Sequence, residues 1–163
     1  MATCPLPTSL QPYLEILSDI FASHQVVLAY LFGSQAEGEA RRSSDIDLAV
    51  LLNPAMPRER WFDVHLSLAG TVCDALGRND VDVVVLNQAT ALLCMEIVRH
   101  GQIIYEDPVT QPGVDFASQT IVQFADTEHF RRINRQYFEE RINARRKAGR
   151  NIHRPSTQLE RAV

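Results

Sequence analysis

Asp45 and Asp47 stand two residues apart at the head of the apolar run "IDLAVLL", Ile46 to Leu52. In a strand, residues i and i+2 face the same way, about 7 Å apart along the backbone. The two carboxylates are therefore expected to project side by side while Ile46 and Leu48 enter the core. Like charges this close repel, and a divalent cation satisfies them best. Ligands that are all oxygen favour Mg²⁺, with Mn²⁺ as the alternative. Asp82 heads another apolar run, "VDVVVLN", and can complete the set from a neighbouring strand. Three carboxylates on adjacent strands suit two-metal phosphoryl chemistry, in which ions roughly 3.5–4 Å apart bind the attacking and leaving oxygens. Asp80 reads as a turn or cap residue.

Gly33-Ser34 follows the apolar run "VVLAYLF", Val26 to Phe32. A glycine after a buried strand lets a phosphate approach the backbone, where N–H groups and the Ser34 hydroxyl can donate to its oxygens. Arg41 or Arg42 can neutralise further phosphate charge. Asp-x-Asp alone is a weak signal, since strands often start with aspartate, and Gly-Ser alone is a common turn. Their combination, in order and at strand ends, is far more specific.

These residues need elements to hold them. Tyr13, Ile16, Leu17 and Ile20 recur at helical spacing. "QVVLAYLF" and "IDLAVLL" read as buried strands, the second stopped by Asn53-Pro54. The connection between them is too short for a helical crossover, so neighbouring antiparallel or mixed strands are expected. Residues 58–76 read as a helix with Trp61, Phe62, Val64, Leu66, Leu68, Val72 and Leu76 on its apolar faces and Gly77 at its end. Residues 81–87 read as a third strand. "ATALLCMEIVRHG" reads as a helix stopped by Gly101, and "QIIYE" as a brief fourth strand. The pattern predicts an α/β (α+β) fold, a small mixed β-sheet flanked by helices. Residues 1–107 form the core, and the Asp107–Gly113 loop is the one plausible boundary. Residues 108–148 form a C-terminal helical extension of the same domain, with Phe116, Val122, Phe124, Phe130, Ile133, Tyr137, Phe138 and Ile142 at roughly helical intervals. Residues 149–163 are expected to be a disordered basic tail.

The bulk properties agree. A chain of 163 residues, 45% hydrophobic and 22% charged, supports one packed domain. No apolar run approaches the ~20 residues that span a bilayer. The N-terminus lacks a signal peptide's basic start and apolar stretch, so a cytoplasmic protein is expected. Cys4, Cys73 and Cys94 make no CxxC pair and read as reduced structural thiols. His24, His65, His100, His129 and His153 form no metal-binding motif. Residues 129–163 carry ten Lys/Arg against three Glu, a net +7, whereas residues 1–128 carry −11. A basic segment with few aromatic residues reads first as a solvated helix face and frayed end. Nucleic-acid binding is not expected, apart from the contact such a tail could make.

"LFGSQAEGEARRSSDIDLAVLL", followed by "VDVVVLN", resembles the minimal nucleotidyltransferases of the DNA polymerase β-like superfamily. Their pattern is Gly-Ser, a polar stretch, Asp-x-Asp and a third strand aspartate. The likeness covers roughly residues 14–107, with "EIVRHGQIIYED" resembling the segment that follows in small members. It implies a nucleotidyltransferase fold with C-terminal helices. Gly33, Ser34 and Arg41 would bind the triphosphate of ATP, and Asp45, Asp47 and Asp82 would be catalytic and would bind Mg²⁺. Gln35 departs from members with a basic residue after Gly-Ser, so no such phosphate contact is expected there. Many stand-alone members are antitoxins encoded beside a HEPN-domain ribonuclease toxin, and the resemblance implies AMP transfer to a tyrosine of that partner. The alternatives are a small-molecule, aminoglycoside-type adenylyltransferase and a non-catalytic antitoxin that acts by binding. The missing large substrate domain weighs against the first, and the intact trio of aspartates against the second.

Overall fold

The computed structural model of the chain describes residues 10–33, 45–128, 132–133 and 138–142. Ser34, Arg41, Cys4 and the expected tail at 149–163 lie outside the described residues. Four strands, β1 (Val26–Phe32), β2 (Ile46–Leu52), β3 (Val81–Val85) and β4 (Gln102–Glu106), form one sheet in the order β3-β2-β1-β4. The helices are α1 (Leu14–Ser23), α2 (Trp61–Leu76), α3 (Ala91–His100) and α4 (Gly113–Asp126). β1 runs antiparallel to both β2 and β4, as its short connection to β2 requires. β2 and β3 are parallel and joined through α2, the helical crossover that parallel strands need.

The two central strands are apolar almost throughout because both sheet faces are covered. On one face Leu17 and Phe21 of α1 and Val64, Leu68, Val72 and Leu76 of α2 pack against Ala29, Leu31, Leu48 and Val50. On the other, Cys94 and Ile97 of α3, with Phe116 of α4, pack against Leu28, Tyr30 and Ala49. The four buried residues of α2 recur every fourth position, the spacing of one helical face. Phe62 and Leu66, expected to share in that burial, lie opposite and are 66% and 55% exposed.

Local chemistry sets the ends. Gly77 adopts a left-handed conformation (φ 62°) after α2. Its N–H bonds to the Asp74 carbonyl at 3.3 Å and that of Arg78 to the Cys73 carbonyl at 3.1 Å, a Schellman stop. The Thr90 hydroxyl accepts from Leu93 N–H at the start of α3. The third strand, expected to reach Asn87, ends at Val85, and Leu86–Gln88 winds into a 3₁₀ turn. The Asn87 amide replaces the ladder there. Its Oδ1 accepts from Leu52 N–H at 2.8 Å and its Nδ2 donates to the Leu52 carbonyl at 3.0 Å.

The chain divides into two compact units, residues 1–124 and 125–163. The first holds the sheet and continues well past residue 107, because Phe116 stacks obliquely on Tyr30 with ring centroids 6.2 Å apart. Among the described residues no helix is long and apolar enough to cross a membrane.

Candidate active site

The end of β1 and the starts of β2 and β3 meet at one edge of the sheet. Phe32 pairs with Asp47, and Asp47 pairs with Asp82, so one row of residues crosses three strands. Register partners in a sheet project from the same face. Asp47 and Asp82 therefore stand side by side, while their neighbours Ile46, Leu48 and Val83 are buried. Asp45 sits one residue before β2, exposed, and by strand alternation on the face of Asp47.

Asp47 is the half-buried member of the three. Burial pushes its pKa above the ordinary carboxylate value, and the charges of Asp82 and then Asp45 push it further. Both neighbours thus lie within electrostatic reach of it. Gly33 closes the site from the β1 side. Its φ of +70° is left-handed, and a Cβ there would overlap Asp47 Oδ2 and come within 3.1 Å of Asp47 Cγ. Only glycine lets the chain turn this tightly over the carboxylate.

Among the described residues no three His, Cys, Asp or Glu side chains are drawn into a cluster that could hold a metal ion. The backbone row brings Asp45, Asp47 and Asp82 to one edge without closing their oxygens around a point. Their donor chemistry nonetheless fits a hard divalent cation: every candidate donor is a carboxylate oxygen, and the repulsion felt by Asp47 is what such an ion would relieve.

Two residues that sequence reasoning did not assign to chemistry join this edge. Asp80, expected as a turn or cap residue, is an ion-pair partner. It receives Arg78 Nε at 2.7 Å and Nη2 at 2.5 Å, and this holds its carboxyl below the usual range. Arg78 is a lone arginine in a turn, "GRND", and belongs to no motif. A basic residue two positions from an aspartate that precedes a strand was the available signal. A cleft of about 400 Å³, lined in part by His24, Arg60, Asp63 and Ser67, shares no residue with the acidic row. There the His24 ring bridges Ser67 of α2, at 3.1 Å, and the Ile20 carbonyl of α1, at 2.8 Å.

A mixed four-stranded sheet with an Asp-x-Asp pair at the head of one strand, a third aspartate in register with its second member and a glycine turn over that member defines a nucleotidyltransferase architecture. The family described as polymerase beta, nucleotidyltransferase matches residues 15–108, and the chain belongs to that family. It is 36% identical over 112 residues to the protein adenylyltransferase MntA of Shewanella oneidensis, across 68% of this chain and 73% of that protein. It is similar to a chain of a toxin–antitoxin crystal structure with AMP-PNP (TM-score 0.65, 28% identity, 80% of this chain and 99% of that one). It is also similar to a chain of a tri-AMPylated Shewanella oneidensis HEPN toxin in complex with its minimal nucleotidyltransferase antitoxin. That match has a TM-score of 0.61 and 25% identity over 79% of this chain and 98% of the other.

Proposed function

We propose that the chain is an antitoxin that transfers AMP from ATP to a tyrosine hydroxyl of a HEPN ribonuclease toxin in the cytoplasm. The observation that carries the reading is the register of Asp47 with Asp82, beside Asp45 and under the Gly33 turn. The likeness to a protein adenylyltransferase, and to chains of toxin–antitoxin structures with AMP-PNP or an AMPylated toxin, supports the choice of substrates.

In the reaction the tyrosine oxygen forms a bond to the α-phosphorus. The bond from that phosphorus to the bridging oxygen breaks, and pyrophosphate leaves. Asp82, exposed at the rim of the row, takes the hydroxyl proton. Asp45 and Asp47 would hold a divalent cation, of the Mg²⁺ or Mn²⁺ class by the chemistry of the donors, with Asp82 as a third oxygen ligand. When bound, that cation neutralises charge on the triphosphate and the departing pyrophosphate. Gly33 and Ser34 seat the triphosphate against the backbone, and Arg41 adds positive charge. Positioning and electrostatics supply most of the catalysis.

The test is neutralisation of a HEPN toxin, if one is encoded beside this chain. Wild type is expected to abolish toxicity and to leave AMP on the toxin, and the double variant D45N/D47N to do neither. A double variant that still neutralises fully would instead make the chain a masking protein. Labelling of an aminoglycoside but not of the toxin would make it a small-molecule adenylyltransferase.

A further inference from the structure

The turn between α2 and β3 brings one cation to the acidic edge of the sheet. The Arg78 N–H is fixed by its bond to the Cys73 carbonyl, which sets where the side chain begins. The guanidinium then grips Asp80 side-on, through Nε and Nη2 to the two carboxylate oxygens. Asp80 is itself pinned: its carbonyl accepts from Ile46 N–H at 2.9 Å, which sets its backbone beside the residue that follows Asp45. The charge of Asp80 and, more weakly, that of Asp45 reach Arg78. A planar guanidinium favours a carboxylate it can hold with two N–H groups. While Asp80 occupies that fork, the Asp45 oxygens are left to another cation. The two side chains are 28% and 39% exposed. The pair therefore adds little to stability, and changing it probes the site more than the fold.

Resting on the reading of Asp45, Asp47 and Asp82 as the cation site, we infer that Asp80 is a counter-ion that keeps Arg78 off Asp45. The Arg78–Asp80 pair thereby sets how tightly the acidic row holds a divalent cation. Removing the Asp80 charge turns Arg78 toward Asp45, where a resident guanidinium competes for the oxygens the ion needs. Removing Arg78 as well ends the competition.

The full-length protein is titrated with Mn²⁺ alone, and bound ion is read from loss of the free-ion EPR signal. D80N and D80S, each checked for its fold by circular dichroism, are expected to bind about tenfold more weakly than wild type, as when outer-shell partners of metal ligands are lost. R78A/D80N is expected to return to within about twofold of wild type. N79K places one extra positive charge on an exposed position of the same turn and is expected to fall well short of the D80N loss. D80N binding like wild type, a double variant that fails to recover, or N79K matching D80N overturns the counter-ion role. No Mn²⁺ binding by wild type, or D45N binding like wild type, overturns instead the reading on which the inference rests.

Discussion

Asp47 is held where its charge is unfavourable: half-buried, between two other carboxylates, under a glycine turn. Its folded pKa lies above its ordinary value of 3.8, so the folded state binds this proton more readily than the unfolded chain. The sign follows from linkage. The stability associated with protonated Asp47 is fully present below pH 3.8 and is lost as pH rises through the raised value. At neutral pH D47N is therefore expected to melt roughly 1–3 °C higher than wild type, a modest gain because solvent screens a half-exposed group. The gain should vanish in acid, and AMP transfer by the same variant should fall at least ~10²-fold. Melting curves across pH, beside transfer rates, check both. A D47N protein no more stable than wild type at pH 7 contradicts the electrostatic picture. Gly33→Ala faces two penalties, a left-handed φ and a Cβ driven into the Asp47 carboxylate. Thermal or denaturant unfolding should show a loss of about 1–3 kcal/mol, with transfer impaired beyond what that loss explains.

At the scale of elements, the crossover helix α2 ties the two acid-bearing strands together. Leu68, fully buried between that helix and the sheet, fixes their separation. Leu68→Ala is expected to destabilise the fold by about 2–5 kcal/mol in urea titrations. Asn87 does at the far end of β2 what the ladder would otherwise do. Asn87→Ala leaves Leu52 N–H and C=O without these partners and should cost about 1–3 kcal/mol. An unchanged midpoint for either variant would refute the packing or the bonding assigned to it. Much of this was legible in the residues. Ile46 and Leu48 alternate with Asp45 and Asp47, Gly77 and Gly101 stop their helices, and the short β1–β2 link points to neighbouring strands, antiparallel or mixed, which the structure pairs antiparallel. The end of β3 was not legible, because Asn87 leaves the strand to bond a residue 35 positions away. The exposure of Phe62 and Leu66 was hidden for a related reason. The helical period places both opposite Val64 and Leu68, but only the sheet decides which apolar face is buried. The Arg78–Asp80 pair depends on how a turn folds back on itself, which no spacing rule encodes.

At the scale of the molecule, the sheet gathers residues from separate parts of the chain onto one edge, the edge to which the proposed chemistry is assigned. Asp45 and Asp47 lie far in sequence from Asp82, and the β2–α2–β3 crossover makes them neighbours. The unit that does this, residues 1–124, contains the whole span matched by the nucleotidyltransferase family. Residues 129–163, with their net charge of +7, fall beyond it. The most direct test uses the purified protein, Mg²⁺ and a candidate HEPN partner protein. Two parallel reactions carry ATP labelled on either the α- or the γ-phosphate, and the acceptor is mapped by mass spectrometry. Label from the α-phosphate alone should appear on a tyrosine of the partner with wild type and be absent with D47N. Label from the γ-phosphate, equal labelling by D47N, or no label at all would contradict AMP transfer by this acidic row.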